Sequence, residues 1–260
     1  MKVSIKMQQN QNGTNHKRYW IFLRGLARGK GHWGDFLEYF LKYYPNDEVE
    51  MIDIPGNGER NHVQSPMEIS DYVNDLRQQS EFLKMGHSVH LLAISLGGMI
   101  SAEWLKMYPD DIEKVYLCCT SAKNYSKLYE RMRPQNIDEV IRLLIHKDNH
   151  GENEKSILKM IANNHDRVEK LSPSLIEYSE QYPISRINVL RQLWAASRYT
   201  FPESVRGNVV LIGAYGDRFV SPQCTLNIGN AWGVQPIMHP WAGHDLPIDD
   251  PEWLASQLKN

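Results

Sequence analysis

A serine stands where a run of apolar residues meets two glycines. Residues 90–99 read HLLAISLGGM, so Ser95 follows a segment typical of a buried strand and precedes a segment of helical period. A tight turn of this kind exposes the hydroxyl and leaves the next backbone N–H at a helix N-terminus, where it can stabilise developing negative charge. Because small-x-Ser-x-Gly patterns are common, the alternative is a serine that caps an ordinary helix. Ser95 is therefore a candidate nucleophile that needs partners.

A serine nucleophile requires a general base, and the base requires an acid that orients it. Asp217 follows the strand-like run NVVLIGA, and His244 follows the strand-like run QPIMHP. Taken alone, Asp217 is typical of a turn and His244 of a surface loop. Parallel strands, however, place ligands at their carboxyl ends. The chain order Ser95, Asp217, His244, with each residue after a predicted strand, favours a catalytic triad.

The elements that must position these residues alternate along the chain. Segments of strand-like composition alternate with helical patterns, which predicts an α/β fold with a mostly parallel sheet and helices on both faces. A helix is predicted from Ser65, as N-cap, to Gly86. The predicted strands cover residues 3–7, 18–23, 49–55, 88–95, 115–121, 208–214 and 235–240.

The pattern changes between residues 122 and 205. The segments NIDEVIRLLIHKD, NEKSILKMIANN and RINVLRQLWAAS have helical period, and no strand-like run separates them. An insertion of this length is large enough to act as a lid. We expect a core domain of residues 1–121 and 206–260, with a helical cap inserted at residues 122–205.

Composition narrows the functional classes. The 260 residues carry a net charge of −2, which provides no field for nucleic acid or an anionic membrane. The longest apolar runs are too short to span a bilayer. The acid-free residues 1–34 contain Asn12-Gly13, so we interpret them as a hairpin rather than a transit peptide. Three cysteines, Cys118, Cys119 and Cys224, indicate neither a disulfide framework nor a metal site, which suits a reducing cytoplasm.

Three further motifs resemble those of the α/β-hydrolase superfamily, and the resemblance covers nearly the whole chain. Residues 22–36 (FLRGLARGKGHWGDF) are similar to its oxyanion loop, residues 53–60 (DIPGNGER) to its Asp-x-Pro-Gly-x-Gly turn, and residues 243–254 (GHDLPIDDPEWL) to its histidine loop. The chain most resembles small esterases with a helical cap, including the pimeloyl-ester esterase type. By matching position, the N–H groups of Leu26 and Leu96 would form the oxyanion hole. Superfamily members with an aspartate nucleophile, the haloalkane dehalogenases and epoxide hydrolases, are excluded by the serine.

The expected function is that of a serine hydrolase acting on a carboxylic ester or thioester. Ser95 would attack the carbonyl, His244 would carry the proton, and Asp217 would orient the imidazole. The partner is a small ester or acyl substrate, without metal or organic cofactor, and the chain would act as a monomer or small homo-oligomer. Two alternatives remain open: another reaction on the same triad (C–C hydrolysis, acyl transfer or lyase chemistry), and a non-catalytic ligand-binding module.

Possible substrate contacts lie in the oxyanion loop. Arg24 and Arg28, with Lys30 beside them, either pair with acids or face the pocket, where an arginine could bind a carboxylate or phosphate of the substrate. Trp33 is a candidate wall of the pocket, as are Trp194 and Trp241, although aromatic residues are more often core.

Overall fold

The sheet determines where the candidate site forms. A computed structural model describes residues 17–145, 150–205 and 207–259. The strands are β1 (Tyr19–Leu23), β2 (Glu48–Met51), β3 (Val89–Ile94), β4 (Ile112–Cys118), β5 (Asn208–Ala214) and β6 (Ile237–His239). They form one six-stranded sheet of order β2-β1-β3-β4-β5-β6 in which every neighbouring pair is parallel. The mostly parallel α/β fold is therefore confirmed. Residues 3–7 of the expected hairpin lie outside the described residues, and the other strand of that hairpin, β1, pairs with β2 and β3 instead.

Helices follow most strands, in the order expected for a parallel sheet. Helices of the core sequence are α1 (Phe36–Tyr43), α2 (Ile69–Gln79), α3 (Glu81–Lys84), α4 (Leu96–Met107), α10 (Pro222–Trp232), α11 (Leu246–Asp249) and α12 (Pro251–Gln257). Between β4 and β5 lie α5 (Leu128–Arg131), α6 (Ile137–Ile145), α7 (His150–Ile161), α8 (His165–Gln181) and α9 (Arg186–Arg198).

Alternation along β1 shows how the sheet is covered on both faces. Ile21 and Leu23 belong to a buried cluster with residues of α2, α4 and α10, whereas Trp20 and Phe22 belong to a second cluster with residues of α1 and α12. Successive side chains of a strand point to opposite faces, so a strand apolar at every position is buried on both. All four side chains have no exposed surface. Truncation of such a residue to alanine costs about 2–5 kcal/mol.

The helix predicted to start at Ser65 differs in its boundaries. Helix α2 begins at Ile69, and the Ser65 hydroxyl instead donates to Pro55 O at 2.8 Å and accepts from Gln192 Nε2 at 3.1 Å. The helical segment is also interrupted at Ser80, whose Oγ accepts from Leu83 N at 3.3 Å and caps α3. The Ser65 side chain therefore bonds to groups outside the helix, and the capping pattern in the sequence predicted a start that is too early.

Residues 122–205 contain helices at all three predicted positions and two that were not predicted, the four-residue α5 and the long helix α8. Its interior Pro173 is typical of a helix break, which hid the element. Helix α8 packs against α7 through Leu158, Leu171 and Leu175, in a third cluster that also contains Ile248 of α11. Buried contact with a neighbouring helix thus outweighs the local cost of proline. The role of residues 122–205 as a lid stays a prediction.

Candidate active site

Ser95 occupies the turn between β3 and α4 in a strained conformation. Its φ of 57° and ψ of −115° lie in a region that side-chain-bearing residues rarely adopt, at a cost of about 1–3 kcal/mol. Ser95 N donates to Cys118 O at 2.9 Å, and Thr120 Oγ1 donates to Ser95 O at 2.8 Å. The neighbouring strand β4 and the residues after it thus hold both backbone groups of the serine, which fixes the turn.

Small residues after the serine are required by close packing. A Cβ atom at Gly97 would lie 2.7 Å from Arg24 O, and a Cβ at Gly98 would lie 2.8 Å from Thr120 Cβ. Across the turn, a Cβ at Gly25 would lie 2.9 Å from Ser95 Cβ. The oxyanion loop and the serine turn therefore approach as closely as glycine allows.

His244 and Asp217 form a buried pair after β6 and β5. His244 Nδ1 lies 2.7 Å from Asp217 Oδ2, and an ionised carboxylate only accepts, so Nδ1 carries the proton and Nε2 is the free ring nitrogen. Asp217 Oδ1 accepts from Phe219 N and Val220 N, both at 2.8 Å. The pair is 3–6% exposed. Two backbone donors thus fix the carboxylate, and the carboxylate fixes the tautomer of the imidazole.

The oxyanion loop is held from two directions. Asn57 Nδ2 donates to Gly25 O at 3.3 Å and to Arg28 O at 3.0 Å. Gln192 of α9 accepts from Ala27 N at 3.0 Å and donates to Asn57 Oδ1 at 2.7 Å. Ala27 has a positive φ of 56°. A side chain from the DIPGNGER turn and another from the helical segment therefore stabilise a backbone conformation that alanine does not favour.

Both arginines of the oxyanion loop pair with acids. Arg24 donates to both oxygens of Asp245, at 2.9 and 2.5 Å, and Arg28 Nη1 donates to both oxygens of Glu154, at 2.8 and 2.6 Å. All four residues are buried. Each guanidinium is therefore neutralised within the protein. Both arginines also line a cavity that contains Ser95 and His244, so the two alternatives occur together, and contact of Arg24 or Arg28 with a substrate stays a prediction.

His32 links the oxyanion loop to the helical segment. Its Nδ1 accepts from Gly29 N at 2.9 Å, so Nε2 carries the proton that bonds Ser179 Oγ at 3.1 Å. Ser179 Oγ in turn donates to Glu154 Oε2 at 3.0 Å. Burial lowers the pKa of His32 well below its ordinary value, and the charges of Arg28 and Arg24 lower it further. The imidazole is thus neutral and structural.

Two cavities meet at the serine. The first, of about 180 Å³, is lined by Ser95 and His244. The second, of about 470 Å³, is lined by Ser95 but not by His244. Residues that line both cavities are Leu26, Ser95, Leu193 and Phe219. Apolar side chains of α6, α7 and α9 line the first cavity, namely Val140, Leu143, Leu144, Ile157, Met160, Ile161, Val189 and Leu193. The hydroxyl of Ser95 therefore lies at the junction of two mainly apolar chambers.

Comparison with known protein families identifies the family to which this chain belongs. The family model described as serine aminopeptidase, S33, matches residues 25–173, more than half of the chain. The chain belongs to this family of α/β hydrolases. The predicted superfamily is thereby confirmed. Within the described residues, no helix combines the length and apolar character needed to cross a membrane.

Individual relatives are distant from this hydrolase. Human monoacylglycerol lipase ABHD6 is 26% identical over 113 residues, which is 43% of this chain and 33% of the relative, and the bovine protein matches 36% of its length. The match thus spans about a third of these curated relatives. Solved structures of similar fold include the enol-lactonase of Burkholderia xenovorans LB400, with a TM-score of 0.74 at 15% identity over 94% of this chain and 90% of that chain. An esterase of Exiguobacterium antarcticum gives 0.73 at 16% identity over 93% and 90%.

The structure brings most predicted site residues of the hydrolase together. Ser95 and His244 line the first cavity, with Asp217 behind the imidazole, and Leu96 lines the second. Trp33 does not line either cavity. It is 1% exposed and packs in the core beside Phe22, with Arg24 against its ring. The other two tryptophans also lie elsewhere: Trp194 is 47% exposed and Trp241 44% exposed.

Other residues at the site carried no signal in the sequence. Gln192, Glu154 and Ser179 lie in helices where one polar residue among many has no distinguishing spacing. Asn57 lies within the DIPGNGER motif. The resemblance of that motif to the superfamily's turn was the one sequence feature that could have indicated a contact between Asn57 and the oxyanion loop. Asp249 accepts from Asn163 N, Asn164 N and Gly243 N, and thereby anchors the histidine loop.

One buried group of potential metal ligands lies beside the pair. Potential ligand atoms of Cys119, Asp217 and His244 lie within 4.8 Å of one another. Burial raises the pKa of the Cys119 thiol well above its ordinary value, so the thiolate that a metal would need is disfavoured. The hydrogen bond of 2.7 Å already joins the other two residues. The donor set suits a catalytic pair better than a metal centre.

Proposed function

We propose that this hydrolase is a serine esterase that acts on carboxylic esters through an acyl-enzyme. The observation that carries the proposal is the buried His244–Asp217 hydrogen bond of 2.7 Å beside a strained Ser95, with histidine and serine lining one cavity. A serine that only capped α4 would need neither the positive φ nor the oriented imidazole. The intact set also argues against a simple binding module.

In the proposed reaction, Ser95 Oγ attacks the ester carbonyl while His244 Nε2 takes its proton. The imidazolium, held by Asp217, then donates that proton to the leaving alkoxide. The acyl group remains on Ser95 until His244 activates a water molecule, which hydrolyses the acyl-enzyme. Asp217 keeps its orientation throughout, because its second oxygen accepts from two backbone N–H groups.

We assign the oxyanion hole to the backbone N–H groups of Leu26 and Leu96. Both residues line the second cavity beside Ser95, and Leu96 N lies at the start of α4, where the helix dipole favours negative charge. Gly25 allows the oxyanion loop to approach the serine closely. A single donor of this kind contributes about 3–4 kcal/mol to transition-state stabilisation in other hydrolases.

Residues 122–205 would act as a lid over the junction. Their helices supply much of the apolar lining of both cavities, which supports esters with hydrocarbon groups as substrates. The named activity of the human relative, a monoacylglycerol lipase, and of the Exiguobacterium structure, an esterase, agrees with this class. Cys118, Cys119 and Cys224 are buried free thiols, which supports a reducing compartment such as the cytoplasm.

The test combines a chromogenic ester panel of graded acyl length with labelling by a fluorophosphonate probe. We expect hydrolysis of at least one ester and labelling that disappears in Ser95→Ala. Acyl transfer, the first alternative, would appear as alcoholysis faster than hydrolysis when an alcohol is added. A folded wild-type protein that neither reacts with the probe nor hydrolyses any ester would refute the proposal.

A further inference from the structure

An ion pair links the oxyanion loop to the histidine loop. Arg24 of the oxyanion loop donates to both oxygens of Asp245, the residue after His244, at 2.9 and 2.5 Å. Arg24 is 4% exposed and Asp245 is 1% exposed. Both residues line the first cavity, which Ser95 and His244 also line. The pair therefore joins the two segments to which we assign an oxyanion-hole donor and the general base.

Three buried carboxylates lie at or near His244, and each is stabilised differently. Asp217 Oδ2 lies 2.7 Å from His244 Nδ1. Asp249 accepts from three backbone N–H groups, including that of the residue before His244. Of the three, Asp245 alone forms an ion pair with an arginine or lysine of the described residues. Its negative charge is therefore cancelled by Arg24, a residue of another loop.

The charge of Asp245 acts on the groups around the imidazole. The Cys119 sulfur reports this effect, because it lies within 4.8 Å of potential ligand atoms of Asp217 and His244. Burial raises the pKa of the Cys119 thiol well above its ordinary value, and the negative charges of Asp217 and Asp245 raise it further. An electrostatic field that reaches the sulfur also reaches the imidazole beside it, since Coulomb energy falls only as the inverse of distance.

The other titratable side chains of the first cavity contribute little net charge. Arg28 and Glu154 neutralise each other as an ion pair. His32 is neutral, because burial and the nearby arginines lower its pKa well below the ordinary value. Arg186 is exposed, so water and salt screen its charge, and Tyr182 provides an uncharged phenol. Because it contains the residue next to the general base, the ion pair between the two loops is the one expected to affect the imidazole most.

We propose that Arg24 and Asp245 are positioning residues: the pair fixes the oxyanion loop against the histidine loop, and its two charges cancel beside the imidazole. Only a neutral His244 can accept the proton of Ser95, so this cancellation sets the pH above which the enzyme is active. The inference rests on the proposed esterase function and goes beyond it, because it assigns control of the base to a residue of the oxyanion loop.

The test follows kcat/KM for one p-nitrophenyl ester along the acidic limb of the pH profile. In Asp245→Asn, the guanidinium of Arg24 stays protonated without its counter-charge and disfavours a second cation, so the midpoint of the limb should move to lower pH by about one unit. In Arg24→Gln, the unpaired carboxylate of Asp245 favours the imidazolium, so the midpoint should move to higher pH by a similar amount.

A double variant separates the effect of charge from structural damage. Arg24→Gln combined with Asp245→Asn removes both charges and should return the midpoint close to the wild-type value. Since an unpaired buried charge can prevent folding, each single variant also serves as the test if the other does not fold.

The matched control is Asp75→Asn. Asp75 accepts from both Nη groups of Arg60, also at 2.9 and 2.5 Å, but this pair joins α2 to the DIPGNGER turn and lines neither cavity. The midpoint in this variant should equal that of wild type.

A purely structural role for the pair would lower kcat/KM at every pH and leave the midpoint in place. That result in the single variants, or shifts of both in the same direction, would overturn the inference. A double variant that retains the shift of Asp245→Asn would overturn it as well.

A second measurement does not depend on turnover and therefore separates this inference from the esterase proposal. Ring resonances of isotope-labelled histidine can be followed by NMR, with that of His244 identified by its loss in His244→Gln. The His244 resonance should titrate at lower pH in Asp245→Asn than in wild type. If this shift occurs in a protein that hydrolyses no ester, the esterase proposal fails and the charge cancellation stands. Equal titration midpoints in the two proteins would overturn the inference whether or not esters are hydrolysed.

Discussion

The end of the sheet and the helices of residues 122–205 contribute to the site in different ways. At the sheet, backbone groups hold the reactive side chains: Cys118 O holds Ser95, and Phe219 N with Val220 N holds Asp217. The helices instead act through side chains, as with Gln192 on Ala27 N.

This difference indicates that catalysis and substrate selectivity depend on different parts of the molecule. Backbone contacts are dictated by strand order and turn geometry, so any sequence that folds this way retains them. Side-chain contacts depend on individual residues and change with single substitutions. We therefore expect the sheet residues to control whether the reaction occurs, and the helical segment to control how well the oxyanion loop is placed and which ester is chosen.

The largest expected effect is the loss of activity when the nucleophile at the end of the sheet is removed. Ser95→Ala should lower kcat by roughly 10⁶-fold, the loss seen when the nucleophile of another triad is removed. Folding should be retained, because the hydrogen bonds that hold the turn are made to the backbone N–H and C=O of Ser95 and not to its hydroxyl. Ser88→Ala, just before the opposite end of β3, is the matched control and should behave as wild type. Residual activity near wild type in Ser95→Ala would place the nucleophile elsewhere.

Asp217→Asn should have the next largest effect. An amide keeps the shape but no longer selects the Nδ1–H tautomer, so kcat should fall by about 10⁴-fold. Asp250→Asn is the control, because Asp250 caps α12 through Trp253 N at 3.0 Å and also contacts His239. The assignment of the acid would be wrong if Asp250→Asn were the more damaging change in steady-state kinetics.

The same contrast explains how much the sequence could predict. Strand composition and turn residues predicted the parallel sheet, and order along the chain led to Ser95, Asp217 and His244, because these features are local. Trp33 was misplaced as a pocket wall because a sequence does not tell a core aromatic from a lining one.

Long-range side-chain pairs could not be predicted. Arg24 meets Asp245 and Arg28 meets Glu154 across separations of 221 and 126 residues, and no period in the sequence relates them. The sequence offered pairing with acids as one alternative for these arginines, but it could not name Asp245 or Glu154 as the partners.

A smaller effect tests how the helical segment positions the oxyanion loop. Gln192→Met should lower kcat by about 10- to 100-fold with little change in KM, because Ala27 N loses its acceptor and the oxyanion loop shifts. Fluorophosphonate labelling of Ser95 should slow in parallel. Gln181→Met, at the exposed end of α8, is the control. A rise in KM at constant kcat would mean that Gln192 affects substrate binding rather than the oxyanion loop.

The smallest effect concerns stability at acid pH, because two buried histidines, one in the sheet and one in the oxyanion loop, have pKa values below their ordinary range. In the sheet, burial lowers the pKa of His90 to about 4, and His32, between the oxyanion loop and α8, is also lowered well below its usual range. The unfolded chain binds protons near pH 6.5, so between about pH 6.5 and 4 it holds more protons than the folded state. The free energy of unfolding should therefore fall as pH decreases through this window, by up to about 1.4 kcal/mol per pH unit for each histidine. Urea denaturation at several pH values should give shallower slopes for His90→Gln and His32→Gln than for wild type. The exposed His62→Gln is the control, and slopes that match wild type in all three variants would show that neither buried imidazole governs acid stability.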